Sequence, residues 1–418
     1  MERRQHLFGT GPRAGGTGRA RRRGATVLAG FASLLLIFGG AQARADEAPT
    51  ADGFADLAAV VQRDLQAGHV PGAVVLVGEH GRVAYRAAFG WKSLEPAPAP
   101  LDAAAIFDLA SVTKVVATTT AVMQLVEAGR LGLDRPVADY WPAFAANGKA
   151  AITVRQLLTH TSGLPPDLDL VADWSGGPAA LDRAAAERPT RAPGAAFVYS
   201  DINFIVLGEL VRRISGEPLD VYAQHHIFQP LGMADTGFLP DETRRARIAP
   251  TEREDGQLRW GQVQDPTAYR MGGVAGHAGL FSTADDLARF ARMLLQGGSL
   301  DGVQILKPET VALMTRAETL PGGVRRALGW DVASPYSAGM NLAFGPAGYG
   351  HTGYTGCSLW IDPASQAFLI VLTSRLHPDG RGDVKPLRRD LAMLVGDAVR
   401  PAPPTLQAVA AVSHPQGR

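Results

Sequence analysis

Cysteine occurs once in the 418-residue chain, at Cys357, so no intramolecular disulfide can close and stability has to come from packing. Lysine is scarce as well. Lys92, Lys114, Lys149, Lys307 and Lys385 are the five lysines among 41 basic residues, and the other 36 are arginine. An excess of one charge is missing, since 40 acidic residues offset the basic ones, and no basic aromatic stripe offers nucleic acid a surface. C-x-x-C, H-E-x-x-H and other metal-ligand spacings are absent, and the adjacent His225 and His226 read as part of a packed helix. There is no G-x-S-x-G elbow, which sets aside an α/β-hydrolase, and no internal repeat. No metal, cofactor or nucleic-acid partner is therefore expected.

What is present divides the chain unevenly. Residues 1–45 hold eight arginines and one acid around the apolar run "ATVLAGFASLLLIFGGA" at 25–41, followed by Ala43 and Ala45 in A-x-A spacing. That pattern reads as an export signal peptide, and the protein is expected to be periplasmic or secreted, with a membrane tether only if the segment is uncleaved. Subtracting those residues leaves 33 basic and 39 acidic side chains over 46–418, so the domain at about 46–400 is mildly acidic. The tail at 401–418, "PAPPTLQAVAAVSHPQGR", has little periodicity and reads as loose.

Within the domain, "GAVVLVGEHGRVAYRAAFG" reads as two strands, Gly72 to Val77 and Val83 to Phe89, around a glycine turn. "GCSLWIDPASQAFLIVLTS" reads as a second hairpin turning at Asp362-Pro363, with Cys357 a small buried residue at its start. Strands at both ends imply a sheet assembled from distant segments. The middle is helical: "TVRQLL" has Thr153 and Gln156 in capping-box spacing, "STADDLARFARMLLQGG" has Ser282 and Asp285, and "DINFIVLGELVRRISG" runs from Asp201, read as an N-cap or a site residue, to Gly216.

Three stretches carry chemistry. In "FDLASVTKVVATTT", Ser111 and Lys114 are three apart at the head of an apolar helix, which puts hydroxyl and amine on one face. Burial among Val112, Val115 and Val116 is expected to lower the lysine pKa, so that a neutral amine takes the hydroxyl proton, something arginine cannot do. "FVYSDINF" places Tyr199 directly before a helix; a nearby lysine would favour its ionised form and make it a proton relay. "GYGHTGYTGCSLWIDP" has glycines at 348, 350, 353 and 356, which let a strand edge lined by His351 and Thr352 approach a ligand. The N–H groups of Ser111 and Tyr354 are candidate oxyanion donors.

Together "SVTK", "YSD" and "HTG", in that order, resemble the serine β-lactamase and penicillin-binding protein superfamily, and most of all its class C β-lactamase-like branch with D-alanyl-D-alanine carboxypeptidases and esterases. "LLTHTSGLP", "IFQPLGMADTGF" and "GGVAGHAGLFSTADDLARF" extend the resemblance over about 55–397. It implies an α/β (α+β) β-lactamase-like fold: a mainly antiparallel five-stranded sheet flanked by helices, with a helical subdomain inserted at about 115–265. It also implies Ser111 as the acylated nucleophile, Lys114 as its base and Tyr199 as relay, with His351, Thr352, Gly353, Tyr354 and Asp201 around the substrate. Asp201 stands where the family has Asn, and His351 where it commonly has Lys. Both changes disfavour an efficient β-lactamase, whose substrates carry a carboxylate. The function expected is an exported serine hydrolase, D-alanyl-D-alanine carboxypeptidase-like or esterase-like, acting on a small molecule or peptidoglycan-type peptide. The alternatives are a class C-like β-lactamase and a non-catalytic penicillin- or wall-binding protein.

Overall fold

A computed structural model describes residues 52–400. The export segment falls outside the described residues, as does the C-terminal tail. Nine strands form one antiparallel sheet: β1 (Gly72–Glu79), β2 (Arg82–Ser93), β3 (Ala99–Pro100), β4 (Glu318–Thr319), β5 (Arg325–Arg326), β6 (Asp331–Ala333), β7 (Tyr349–Thr352), β8 (Ser358–Asp362) and β9 (Ala367–Leu372). Their order is β4-β5-β6-β7-β8-β9-β1-β2-β3. The sheet thus exceeds the expected five strands, because the two-residue and three-residue strands β3 to β6 extend its edges. The longer strands β7, β8, β9, β1 and β2 make a five-stranded centre. Both expected hairpins form, and β1 pairs with β9 in a register that sets Val75 against Val371, joining the two ends of the chain.

Side chains alternate across a strand, so a sheet covered on both faces needs continuous apolar runs. "AVVLV" and "AFLIVL" are such runs. Ala73, Val75, Val77, Leu369 and Val371 pack on helices α1 (Leu57–Gln66) and α5 (Lys385–Val399) through Leu57, Val61, Leu387 and Leu391. Val74, Leu76, Phe368, Ile370 and Leu372 face the other way, into the core with Leu287 and Phe290 of helix α4 (Ala284–Leu295). That same core continues into the helical middle through Val116 of the segment before α2 (Thr120–Glu127), and Ile202 and Phe204 of α3 (Asp201–Ser215).

Helix starts shift slightly from their expected places. Thr153 and Gln156 form both halves of the capping box. At α4 it is Thr283, not Ser282, that accepts from Asp286 N. At α3 the N-cap is Ser200, leaving Asp201 as the first helical residue with its carboxylate free for other work; Gly216, at φ 88°, ends the helix in the left-handed region.

Candidate active site

The nucleophile candidate sits on a tight turn. After the short strand Phe107–Asp108, which pairs with Leu280–Ser282, the backbone enters the left-handed region at Ala110 (φ 45°) and forms a 3-10 turn over Ala110–Val112. A π-helical segment, Lys114–Thr119, follows before α2 begins, where sequence spacing implied one regular helix. Ser111 and Lys114 nevertheless share a face, with Nζ donating to Ser111 Oγ at 2.9 Å. Lys114 is fully buried among Val112, Val115 and Val116. Its Nζ also donates to His277 O at 3.1 Å and lies 2.6 Å from Asp201 Oδ1. Two acceptors take N–H bonds from Nζ, and the Asp201 carboxylate stands beside it as the countercharge.

That geometry corrects the expected charge state. Burial works to lower the Lys114 pKa, but the Asp201 carboxylate, aided by Tyr199, outweighs it and holds the amine above the ordinary lysine value. Lys114 is therefore a cation in an ion pair, not a neutral amine. The expectation for Tyr199 is corrected in the same way. Its phenol hydrogen-bonds with Ser111 and Lys114, yet burial dominates and raises its pKa, so the phenol keeps its proton. The ring lies with its centroid 5.0 Å from Lys114 Nζ and is stacked on His160 at 4.4 Å.

The third stretch forms the opposite wall. On β7, His351 is buried, and its Nδ1 is 2.9 Å from Thr352 O. A carbonyl only accepts, so Nδ1 carries the hydrogen and Nε2 presents a lone pair. Burial, reinforced by Arg326 and Lys114, pushes the His351 pKa well down, and the ring is neutral. Thr352 donates to Tyr336 O at 3.3 Å. Gly353 lies so near the nucleophile turn that a Cβ there would stand 2.3 Å from Leu109 O, which is why the strand edge reaches Ser111. Arg388 Nη2 fixes the end of this edge by donating to Gly353 O and Cys357 O, at 2.8 and 2.6 Å. The side chain of Tyr354 is exposed. Among the described residues, neither the Ser111 nor the Tyr354 backbone N–H is bound to a backbone acceptor outside regular elements or to a side chain.

These walls enclose a cavity of about 950 Å³ lined by Ser111, Tyr199, Asp201, His351, Thr352 and Tyr354 among others. The structure brings every site residue singled out in the sequence to one place, including Gly353. It adds several that the sequence reading did not single out. Asp265, on the cavity wall, pairs with buried His277 at 2.8 Å; despite burial, the histidine lowers the Asp265 pKa to about 2. His160 and His277 sit in "LLTHTSGLP" and "GGVAGHAGLF", stretches quoted above only for their resemblance. Buried Arg326 also lines the cavity, with its guanidinium carbon 6.0 Å from the Tyr199 ring centroid, and "GGVRRALGW" carries no spacing signal that would have found it.

The Beta-lactamase family model matches residues 57–394. The N-acetylmuramyl-L-alanine amidase of Bacillus subtilis (strain 168) is 34% identical over 357 residues, 76% of this chain and 80% of that protein. A provisionally named D-alanyl-D-alanine carboxypeptidase of Escherichia coli (strain K12) is 32% identical over 346 residues, 73% of this chain and 79% of that protein. The crystal structure of a penicillin-binding protein homologue from Caulobacter crescentus superposes with a TM-score of 0.68 at 25% identity, covering 84% of this chain and 99% of that one. With a family match over most of its length and a sheet-and-helix architecture shared with a penicillin-binding protein homologue, this chain belongs to the beta-lactamase family.

Proposed function

We propose that the protein is an exported serine hydrolase that cleaves amides or esters through an acyl-enzyme on Ser111, with D-alanyl-D-alanine-type peptides of peptidoglycan as the leading substrate class. The observation that carries the reading is the contact line Ser111 Oγ, Lys114 Nζ, Asp201 Oδ1, at 2.9 and 2.6 Å, opening on the cavity. Similarity to an amidase and to a provisionally named carboxypeptidase supports an amide substrate. The arginine-rich apolar segment before residue 46 supports export.

The chemistry follows from the charge states. As Ser111 Oγ adds to the substrate carbonyl carbon, its proton passes to Lys114 Nζ while Lys114 gives one of its own to Asp201 Oδ1. The lysine stays charged throughout and Asp201 is the terminal acceptor. The developing oxyanion is held by the Ser111 and Tyr354 N–H groups. Collapse breaks the C–N or C–O bond, and the leaving atom takes the phenol proton of Tyr199, which Asp201 replaces through Lys114. The phenol keeps its proton at neutral pH and so has one to give as the leaving amine develops its basicity. Water then adds to the acyl-enzyme, its proton following the same relay, and Ser111 is released.

The test is covalent. The purified protein is treated with a fluorophosphonate and, separately, with a fluorescent penicillin, and intact mass is read beside Ser111→Ala. One adduct on the wild type and none on the variant is expected; labelling that survives the substitution sinks the reading. Nitrocefin, a D-Ala-D-Ala peptide and short-chain p-nitrophenyl esters then rank the substrates. The β-lactam is expected to rank last, because the amidase and carboxypeptidase relatives point to an open-chain amide as substrate.

A further inference from the structure

Asp108 has no part in the relay, yet it touches every segment that builds the oxyanion hole. Its side chain is 2% exposed. Oδ1 accepts from Ala110 N at 2.8 Å, the residue before Ser111, and Oδ2 accepts from Gln264 N at 2.6 Å, on the loop that carries Asp265. Its own carbonyl accepts from Thr355 Oγ1 at 2.7 Å, the residue after Tyr354, and from Cys357 Sγ at 3.4 Å. Ala110 is the residue forced into the left-handed region at φ 45°. An alanine there is strained unless its surroundings hold it, and the Asp108 carboxylate supplies one such tie.

We propose that Asp108 is a positioning residue whose ionised carboxylate ties the Ser111 half of the oxyanion hole to the Gln264 loop, while its main-chain carbonyl ties the Tyr354 half to the same strand end. The inference rests on the serine-hydrolase reading above. Two N–H groups on two oxygens need both oxygens as acceptors. A proton on either one turns that oxygen into a donor facing a donor, and one of the two segments loses its tie. Burial, with a smaller push from nearby Asp265, brings this carboxyl up to about 6 against the lowering effect of the Ala110 and Gln264 N–H bonds and of Arg259. The remaining titratable neighbour, Cys357, is a neutral thiol pushed by burial up to about 12. The clamp therefore releases as pH falls through about 6. Its loss is separate from acid unfolding. Because the folded-state value lies above the unfolded one of 3.8, the burden of keeping Asp108 ionised is relieved, not added, as pH drops through that window.

The experiment measures kcat and KM of the purified protein on a p-nitrophenyl ester from pH 5 to 9 for the wild type, Asp108→Asn and Thr355→Val, with circular dichroism at each pH. The wild type is expected to show an acid limb near pH 6 while its spectrum stays folded. Asp108→Asn, whose amide sets an N–H against one backbone N–H, is expected to lower kcat about 10–100-fold with KM within about threefold, and to erase that limb. Thr355→Val is expected to lower kcat about tenfold and keep the limb. Wild-type kcat and an unchanged limb in Asp108→Asn overturn the proposal. If that variant does not fold, Thr355→Val decides, and an unchanged kcat there overturns it. A Ser111→Ala protein that keeps its activity brings down the hydrolase reading and the clamp with it. An inactive Ser111→Ala beside an unaffected Asp108→Asn removes the clamp alone.

Discussion

Replacing Asp201 by Asn restores the residue common in the family and removes the countercharge from a fully buried ammonium. At the observed 2.6 Å separation, Coulomb's law with an effective dielectric of about 20 gives an attraction of about 6 kcal/mol. Partial solvent exposure of Asp201 and the retained contacts to Ser111 and His277 reduce that, so the destabilisation expected at pH 7 is about 3–5 kcal/mol, the range for breaking a buried pair. With an unfolding entropy of about 2.1 cal/mol/K per residue over roughly 350 residues, the melting temperature should fall by about 4–7 °C. The pH dependence identifies the cause. In the wild type the lysine pKa is raised above 10.5, so its stabilising contribution is complete below that value and is lost only as pH rises through the folded-state value. In the variant the carboxylate no longer opposes burial, the largest lowering influence, and the amine pKa is expected to fall below 10.5. The penalty is then full at neutral pH and is relieved by about 1.4 kcal/mol for every pH unit between the variant's amine pKa and 10.5. Melts of both proteins at pH 7 and pH 10 should show the gap closing at the higher pH. A variant as stable as the wild type at pH 7, or a gap of constant size, would refute the ion-pair reasoning.

Two other substitutions probe the opposite wall and the leaving group. Tyr199→Phe should lower kcat on a peptide amide by about 10²–10⁴-fold, while a p-nitrophenyl ester, whose leaving group needs no proton, loses about tenfold or less; equal losses on both would argue against proton donation. His351→Lys should strengthen binding of carboxylate-bearing ligands at pH 8 about tenfold, read as KM or as the acylation rate by nitrocefin, and no gain would count against anchoring at this edge.

The sequence spoke clearly wherever a signal was local. Ser111 and Lys114 are three residues apart, the Thr153 box is four residues long, and "AVVLV" announces a strand buried on both faces. It misled where the answer depended on a partner far along the chain. The valines around Lys114 argued for a neutral amine, and they do lower its pKa, but Asp201, 2.6 Å away in space, comes from another helix and reverses the sign. Tyr199 failed likewise, because the lysine that favours its ionised form competes with burial that disfavours it more. Arg326, Asp265 and Asp108 lie at strand ends and loop entries whose neighbours are fixed only by the folded sheet. Periodicity has nothing to say about them. The edge strands of two and three residues are too short to leave an alternation at all.

The pairing of β1 with β9 has a temporal meaning. Val75 finds Val371 only after about 300 intervening residues have been made, and such distant closure is slow to nucleate. Ser111 and its lysine emerge early from the ribosome, whereas His351, Gly353 and Arg388 arrive near the end. A partly synthesised chain thus holds an alcohol without the wall that would aim a substrate at it, and hydrolytic competence switches on with the final strands and the helix that buttresses them.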